Sequence, residues 1–266
     1  MTPPSELIGW KAWQPAAWPA PSCVRAGHTL REGGTSVGPW GDLSGAKGLN
    51  LGAQCGDHPE TVAANRACLA RHLPGEPVWL DQVHGVRVHR ADSAGSGVPI
   101  AGTDAAVTDR PGVVLAVLSA DCLPVLLSNA DGTVVAAAHA GWRGLAGGVI
   151  EGMVAAARRL APGDTRWLAW LGPAIGPQAF EVGDDVRDAF LADSTQSAAA
   201  FAPGRAAGKW QADIFLLARQ RLARLGIDAV HGGGCCTVGD PRRYYSYRRD
   251  RTTGRLASLI WIDPAG

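Results

Sequence analysis

The stretch Val134-Val-Ala-Ala-Ala-His-Ala-Gly-Trp-Arg-Gly144 decides the expected fold. Its apolar first half predicts a buried strand that runs into His139, and Gly141 and Gly144 indicate a tight turn. The Ala-rich segment Leu145–Leu160 behind that turn predicts a helix. A strand, a glycine turn and a helix in succession are typical of a sheet covered by helices.

Further apolar segments on both sides of this stretch predict more elements. The predicted strands are Pro77–Leu80 with Gln82–Val88, Val113–Ser119, Leu123–Leu127, Thr133–Ala138, Trp167–Leu171 and Leu256–Ile262. The other predicted helices are Pro59–Leu73, with Asp57 as its N-cap, and Asp213–Leu225, and the predicted loops are Ala91–Gly102 and Ala192–Gly208. Because strands and helices alternate, the class is α/β or α+β with a sheet covered by helices, and 266 residues suit one domain.

Composition excludes several classes of protein. The chain has 266 residues with 25 Lys+Arg and 24 Asp+Glu, so its net charge of +1 provides no overall field for nucleic acid or an anionic membrane. Met1 to Trp10 lack the features of a signal peptide, and the apolar run Val113 to Leu127 is interrupted by Asp121 and Pro124. We therefore expect a cytoplasmic protein, a monomer or weak homodimer, that binds small molecules. Its six cysteines are then expected to be buried, metal-binding or catalytic rather than paired.

Three distant residues form a candidate metal set. His84, Cys122 and His139 each stand at the end of an apolar segment, where neighbouring strands could bring them together. Two imidazoles and one thiolate suit zinc and also copper, and three protein ligands leave one position open, as in catalytic sites. The alternatives are a histidine in an ordinary turn and a cysteine packed in the core.

Asp121 interrupts a buried apolar run beside Cys122. An ionised carboxylate there is costly unless it is paired, hydrogen-bonded or close to a metal, which indicates a functional site. Asp121 could transfer protons, orient a ligand or cap a turn before Pro124, and the sequence leaves these roles open.

Cationic and aromatic side chains supply candidates for phosphate and substrate binding. Arg31 lies beside Gly33 and Gly34, and Arg143 stands at the predicted helix start, where anions bind well. The full set is Arg31, Asn50, Arg66, Trp142, Arg143, Gly144, Tyr247 and Arg248. Each could instead belong to a turn, a helix surface or a sheet edge. The adjacent Cys235 and Cys236 could form a second metal or redox feature, or be packed cysteines.

The order of these motifs resembles the laccase-domain family, also called the polyphenol oxidase or YfiH-type purine nucleoside phosphorylase family. The matching segments are Arg31-Glu-Gly-Gly-Thr-Ser36, Leu49-Asn-Leu-Gly52, Asn65-Arg66, Asp81-Gln-Val-His-Gly85, Ala120-Asp-Cys122, His139-Ala-Gly-Trp-Arg-Gly144, Gly172-Pro-Ala-Ile-Gly176, Cys236-Thr237, Tyr245-Ser-Tyr-Arg-Arg-Asp250 and Thr253-Gly-Arg255. Together they cover nearly the whole chain.

The resemblance implies a single α/β domain of layered mixed sheets and helices over residues 1–266, with an α/β/β/α-like arrangement. It also implies a zinc ion held by His84, Cys122 and His139. It implies phosphorolysis of adenosine, inosine, guanosine or methylthioadenosine to the base and ribose 1-phosphate, with deamination of adenosine. The catalytic residues would then be Asp121, Cys122, His84 and His139, and the partners a purine nucleoside and phosphate.

Three other functions remain open. Older naming of the family points to copper and the oxidation of phenols, but seven histidines without a His-x-His pair make a multicopper site hard to build. Cys122 could be the nucleophile of a hydrolase, with His139 or His84 as base. A non-enzymatic binding module is the third alternative.

Overall fold

Two stacked β-sheets between outer helices form the framework of the protein. The computed structural model describes residues 10–163 and 166–264. The expectation for Met1 to Trp10 therefore falls almost entirely outside the described residues. All six cysteines lie within them and are unpaired thiols.

The described strands are β1 (Trp13–Pro15), β2 (Val24–Thr29), β3 (Glu32–Ser36), β4 (Val88–Arg90), β5 (Ala105–Thr108), β6 (Leu115–Ser119), β7 (Leu123–Asn129), β8 (Val135–Ala140), β9 (Trp167–Leu171), β10 (Glu181–Gly183), β11 (Phe201–Pro203), β12 (Lys209–Ala212), β13 (Ala229–Gly232) and β14 (Leu256–Ile262). The described α-helices are α1 (Pro59–Ala70), α2 (Trp142–Gly147), α3 (Val149–Leu160), α4 (Asp184–Asp193), α5 (Ile214–Arg224) and α6 (Tyr247–Asp250). Short 3₁₀ helices span Gly38–Trp40 and Thr195–Ala200. Within residues 10–163 and 166–264, no helix has both the length and the apolar character that crossing a membrane requires.

The sheets form an α/β/β/α arrangement, as expected. The strand orders are β1-β2-β14-β6, β13-β9-β7-β8-β5-β4 and, in a small third sheet, β10-β12-β11. The four-stranded sheet is antiparallel and the six-stranded sheet is mixed, with parallel pairs at both of its ends. One apolar core lies between the two large sheets, a second under α3 and α5, and a third between the four-stranded sheet and α1. The protein is thus a single mixed α/β domain.

The hairpin of β7 and β8 brings Cys122 and His139 close together. The side chain of Asn129 shapes its turn, because its amide oxygen accepts hydrogen bonds from the backbone N–H groups of Thr133 and Val134. The resulting register pairs Pro124 with His139. Cys122, immediately before β7, therefore lies beside the end of β8.

Some predicted elements match the structure and others need correction. The strands predicted at Trp167–Leu171 and Leu256–Ile262 have the observed bounds. The strand predicted over Gln82–Val88 is wrong: only its last residue belongs to a strand, and Val83 and Val86 are 57% and 46% exposed. This segment has apolar alternation but no adjacent sheet face to cover it.

Three further corrections concern helices and loops. The helix predicted over Leu145–Leu160 starts at Trp142 and is divided at Gly148, which has the left-handed φ of 97°. The N-cap of α1 is His58, since the carboxylate of Asp57 accepts from Ser36 and Asn50 instead. The loop predicted over Ala192–Gly208 contains the second 3₁₀ helix and β11.

His28 should make the stability of the fold depend on pH. It is 3% exposed between Trp170 and Tyr244, and neither ring nitrogen has a hydrogen-bond partner among the described residues. Burial, with a smaller contribution from the positive charge of Arg243, lowers the pKa of His28 from 6.5 to about 3. The unfolded chain therefore binds the extra proton between these values, so stability present above pH 6.5 is lost as the pH falls towards 3.

We expect His28→Phe to remove this loss, because phenylalanine fits the aromatic neighbours without titrating. The difference between wild-type and variant free energies of unfolding, measured by urea titration, should change by about 1.4 kcal/mol per pH unit below pH 6.5. If the free energies of unfolding of wild type and His28→Phe change in parallel from pH 7 to pH 4.5, the prediction is contradicted.

Candidate metal centre and its cavity

His84, Cys122 and His139 meet at one end of the β7–β8 hairpin. Their ligand atoms all lie within 4.8 Å of one another, and Cys122 Sγ is 3.6 Å from His84 Nε2. Side chains alternate along β8, so His139 shares the face of Val135 and Ala137 and points between the two large sheets. His84 comes from the loop after Leu80 and has a left-handed φ of 60°. The hairpin thus supplies two donors, and a strained loop residue supplies the third.

Asp104 holds both histidines in place. Its Oδ1 accepts from the backbone N–H of His84 at 2.9 Å and lies 2.8 Å from His139 Nδ1. Its Oδ2 accepts from the backbone N–H groups of Val83 and Gly85 at 3.1 and 2.7 Å. Three consecutive amides therefore wrap one fully buried carboxylate. With Nδ1 of His139 engaged, its Nε2 is the nitrogen left for a ligand role.

The centre favours a thiolate. Burial by itself raises the pKa of Cys122, but the charge and hydrogen bond of His139, with a smaller contribution from His84, outweigh burial and lower it. Burial by itself lowers the pKa of His139, but the Cys122 thiolate and the Asp104 carboxylate outweigh that effect and raise it. The thiolate is the form of cysteine that binds metals.

The donor set fits a zinc ion. Zinc bonds are about 2.3 Å to sulfur and about 2.0–2.1 Å to nitrogen, so ligand atoms within 4.8 Å of one another can share one ion after small adjustments. Gly141 leaves the space, because a Cβ there would lie 2.6 Å from His84 Cδ2 and 3.0 Å from Cys122 Sγ. Copper also accepts this donor set.

The centre opens into a cavity of about 480 Å³. The residues predicted from the sequence that line it are Arg66, His84, Asp121, Cys122, His139, Trp142, Arg143, Tyr247 and Arg248. Arg143 is exposed and lies against the Trp142 ring at 4.4 Å, and Tyr247 is 51% exposed. Phe180, Ile175 and Ile214 add buried apolar wall. The cavity therefore combines cationic, aromatic and metal-binding side chains.

Three predicted substrate-binding residues do not line this cavity. Arg31 is buried, and its guanidinium donates to the carbonyls of Gly41 and Pro241 under the Tyr245 ring. Asn50 is fully buried and bonds to the backbone of Gly52. Gly144 packs against the Gly85 carbonyl. Their observed contacts are internal.

Asp104 and Arg255 are polar residues of the site that were not among the binding candidates from the sequence. Asp104 precedes the buried strand β5, and its signal is the one used for Asp121, a carboxylate next to an apolar run. Arg255 lines the cavity, and its backbone N–H donates to Asn50 Oδ1. It lies in a matching motif but has no local pattern that predicts a binding role. Of the neighbouring cysteines Cys235 and Cys236, Cys236 accepts a hydrogen bond at Sγ from the backbone N–H of Gly176.

Comparison with known proteins agrees with this architecture. The chain is 50% identical over 251 residues to a purine nucleoside phosphorylase of Pseudomonas aeruginosa, covering 94% of this chain and 98% of that protein. It is 49% identical over 249 residues to the purine nucleoside phosphorylase YfiH of Escherichia coli, covering 92% and 96%. The crystal structure of protein NMB0706 of Neisseria meningitidis superposes with a TM-score of 0.87 at 45% identity, over 95% of this chain and all of that one. The structure of YlmD of Geobacillus stearothermophilus superposes with a TM-score of 0.84 at 29% identity, over 95% and 97%.

The model of the family described as multi-copper polyphenol oxidoreductase laccase matches residues 25–263, which include every residue of the metal centre and of the cavity wall. With relatives of about half-identical sequence along nearly the whole chain, the protein belongs to this family, whose members include the YfiH-type purine nucleoside phosphorylases.

Proposed function

We propose that the protein is a zinc-dependent purine nucleoside phosphorylase that converts a nucleoside and phosphate to the free base and ribose 1-phosphate. The observation that carries this proposal is the His84–Cys122–His139 centre opening onto a cavity walled by aromatic rings and guanidinium groups. The names of the relatives support the same reaction. Adenosine, inosine, guanosine and methylthioadenosine are the proposed substrates.

The cavity wall matches the needs of phosphorolysis. Tyr247, Trp142 and Phe180 offer ring faces for a purine, and Arg143 offers positive charge for phosphate. Arg66 and Arg248 add positive charge to the cavity wall, with Arg66 Nε donating to the Leu51 carbonyl and Arg248 Nη1 donating to the carbonyls of Ala179 and Glu181. In the reaction a phosphate oxygen bonds to the anomeric carbon, and the bond to the purine nitrogen breaks with its electron pair leaving on the base. Holding phosphate against the sugar makes the step effectively unimolecular, which lowers the barrier.

His84, Cys122 and His139 would hold the zinc ion, and Asp104 would keep both rings oriented towards it. When bound, zinc would supply Lewis-acid chemistry in the cavity. Since three protein ligands leave a fourth position open, we extend the proposal to deamination of adenosine at the purine C6.

Two alternative reactions are less favoured. A multicopper oxidase needs several metal-binding clusters, whereas His84, Cys122 and His139 form the single group of three or more suitable side chains found in the part of the chain that the structure describes. A cysteine hydrolase could use Cys122, His139 and Asp104 as nucleophile, base and orienting carboxylate. That reaction would survive removal of the metal but not alkylation of the thiol.

The test is an assay of purified protein with inosine and phosphate. We expect hypoxanthine and ribose 1-phosphate in equal amounts, no hypoxanthine without phosphate, loss of activity with a chelator and recovery with zinc. Adenosine without phosphate should react with water to give inosine and ammonia in equal amounts. Metal-loaded protein that releases no base from any of the four nucleosides would contradict the proposed phosphorolysis, and activity restored by copper alone would contradict the zinc assignment.

A further inference from the structure

We propose that Asp121 is a positioning residue that fastens helix α6, which carries Tyr247 and Arg248, to the segment that carries Cys122. The binding role given to Tyr247 and Arg248 rests on the proposed function, but the fastening itself does not. This assigns Asp121 a structural task at the cavity wall instead of proton transfer.

The backbone of Asp121 has a strained conformation that contacts of the residue must stabilise. Its φ is 103°, in the left-handed region that favours glycine. It directly precedes Cys122, and its carbonyl accepts from the backbone N–H of Ile175 at 2.9 Å. Because strained backbone persists where surrounding contacts over-determine it, the side chain of Asp121 is expected to have fixed partners.

Those partners are found on both carboxylate oxygens. Oδ1 accepts from the Thr237 hydroxyl at 2.6 Å, and Oδ2 accepts from the backbone N–H of Arg248 at 2.6 Å. Asp121 is only 9% exposed. Both oxygens are thus directed at protein donors, a geometry that favours holding these donors over exchanging protons with a substrate.

Helix α6 is too short to hold itself in place. It has four residues, and its Ser246 cap accepts from the backbone N–H of Arg249. The backbone of Thr237 donates to the carbonyl of Ala174, and the Arg249 guanidinium donates to the carbonyl of Thr237. Asp121 therefore joins the first turn of α6 to Thr237, whose backbone is tied to Ala174 in the segment that follows β9.

The variants that separate the two roles are Asp121→Asn and Asp121→Gly. An asparagine can keep both contacts, because its amide oxygen accepts from the Arg248 N–H while its NH₂ donates to the Thr237 hydroxyl, which can also accept. It cannot act as a general acid or base. Glycine removes both contacts and suits the φ of 103°. Thr237→Val and Thr237→Ser form a matched pair that removes or keeps one contact.

Amide hydrogen exchange measured by mass spectrometry tests directly whether Asp121 holds α6 in place. We expect faster exchange in residues 245–251 of Asp121→Gly and Thr237→Val, with Asp121→Asn and Thr237→Ser close to wild type. Unchanged exchange in Asp121→Gly would overturn the proposal. Zinc content of each variant shows whether any change comes from loss of the metal.

Kinetics on inosine provide the second measurement. We expect Asp121→Gly to raise KM by about tenfold with a smaller fall in kcat, because the binding wall is displaced. Asp121→Asn should stay within about threefold of wild type with the same pH profile, since general acid–base catalysis would instead cost about 10²–10⁴-fold in kcat. Loss of kcat on that scale in Asp121→Asn, with wild-type exchange, would overturn the positioning role. If wild-type protein shows no phosphorolysis, the proposed function fails, while the exchange data still decide the fastening.

Discussion

Replacing Cys122 by alanine should abolish both metal binding and phosphorolysis. Cys122 supplies the single thiolate of the centre, and the two imidazoles that remain are too few to hold zinc tightly. Removing a group that hydrogen-bonds to a metal ligand typically lowers metal affinity by roughly 10–100-fold. Because Cys122→Ala removes a ligand itself, we expect a larger fall in metal affinity. Zinc content of dialysed protein and the rate of hypoxanthine release measure the two effects.

Cys55→Ala is the matched control for this change. Cys55 lines the same cavity but lies outside the metal group, and its Sγ bonds to Gly52 and Asn50. The control should keep its zinc. If Cys122→Ala keeps zinc at one ion per chain and releases hypoxanthine at the wild-type rate, the assigned centre is wrong. If it keeps zinc but loses activity, Cys122 is a nucleophile instead.

Asp104→Asn is expected to be nearly as damaging, although it changes one oxygen to nitrogen. Asp104 accepts from three backbone N–H groups, and it accepts a fourth N–H when the His139 proton is on Nδ1, the tautomer that leaves Nε2 for a metal. In that tautomer an asparagine NH₂ faces two donors whichever way the side chain turns, and each buried group left unpaired costs about 1–3 kcal/mol. Both His84 and His139 then lose their support.

We expect Asp104→Asn to lower zinc affinity by about 10–100-fold and to destabilise the fold by about 2–6 kcal/mol. Competitive chelator titration and urea unfolding of the metal-free protein measure these separately. Asp121→Asn is the matched comparison, because the same substitution there can satisfy both partners. Equal zinc affinities and unfolding free energies in Asp104→Asn and wild type would show that the carboxylate does not support the centre.

Much of the metal centre can be predicted from local sequence. His139 and Cys122 stand at the ends of strongly apolar strands, and the turn residues at Asn129 predict the hairpin that brings them together. His84 has a weaker local signal, since the segment around it is a loop with exposed valines. Its assignment gains most from the order of motifs along the whole chain.

The residues around the metal centre are harder to predict. Arg31 and Arg143 both lie close to glycines in the sequence. The guanidinium of Arg31 donates to two backbone carbonyls inside the protein, whereas Arg143 lines the cavity. Asp104 and Asp121 both border buried strands, yet one accepts from three consecutive amides near the metal ligands and the other from a distant hydroxyl and a helix start. The partners in each case lie far away along the chain.

The sequence by itself determined the alternation of strands and helices and the β7–β8 hairpin, because these depend on local periodicity and on turn chemistry. It also singled out His84, Cys122 and His139 as candidate metal ligands, through their residue chemistry and the order of motifs along the chain. The tertiary structure alone decided which arginine side chains line the cavity and that the carboxylate of Asp104 supports His84 and His139. It also decided that the helix predicted over Leu145–Leu160 is divided at Gly148. Such outcomes depend on which buried polar groups find partners across the fold, and no neighbouring residue in the sequence sets that pairing.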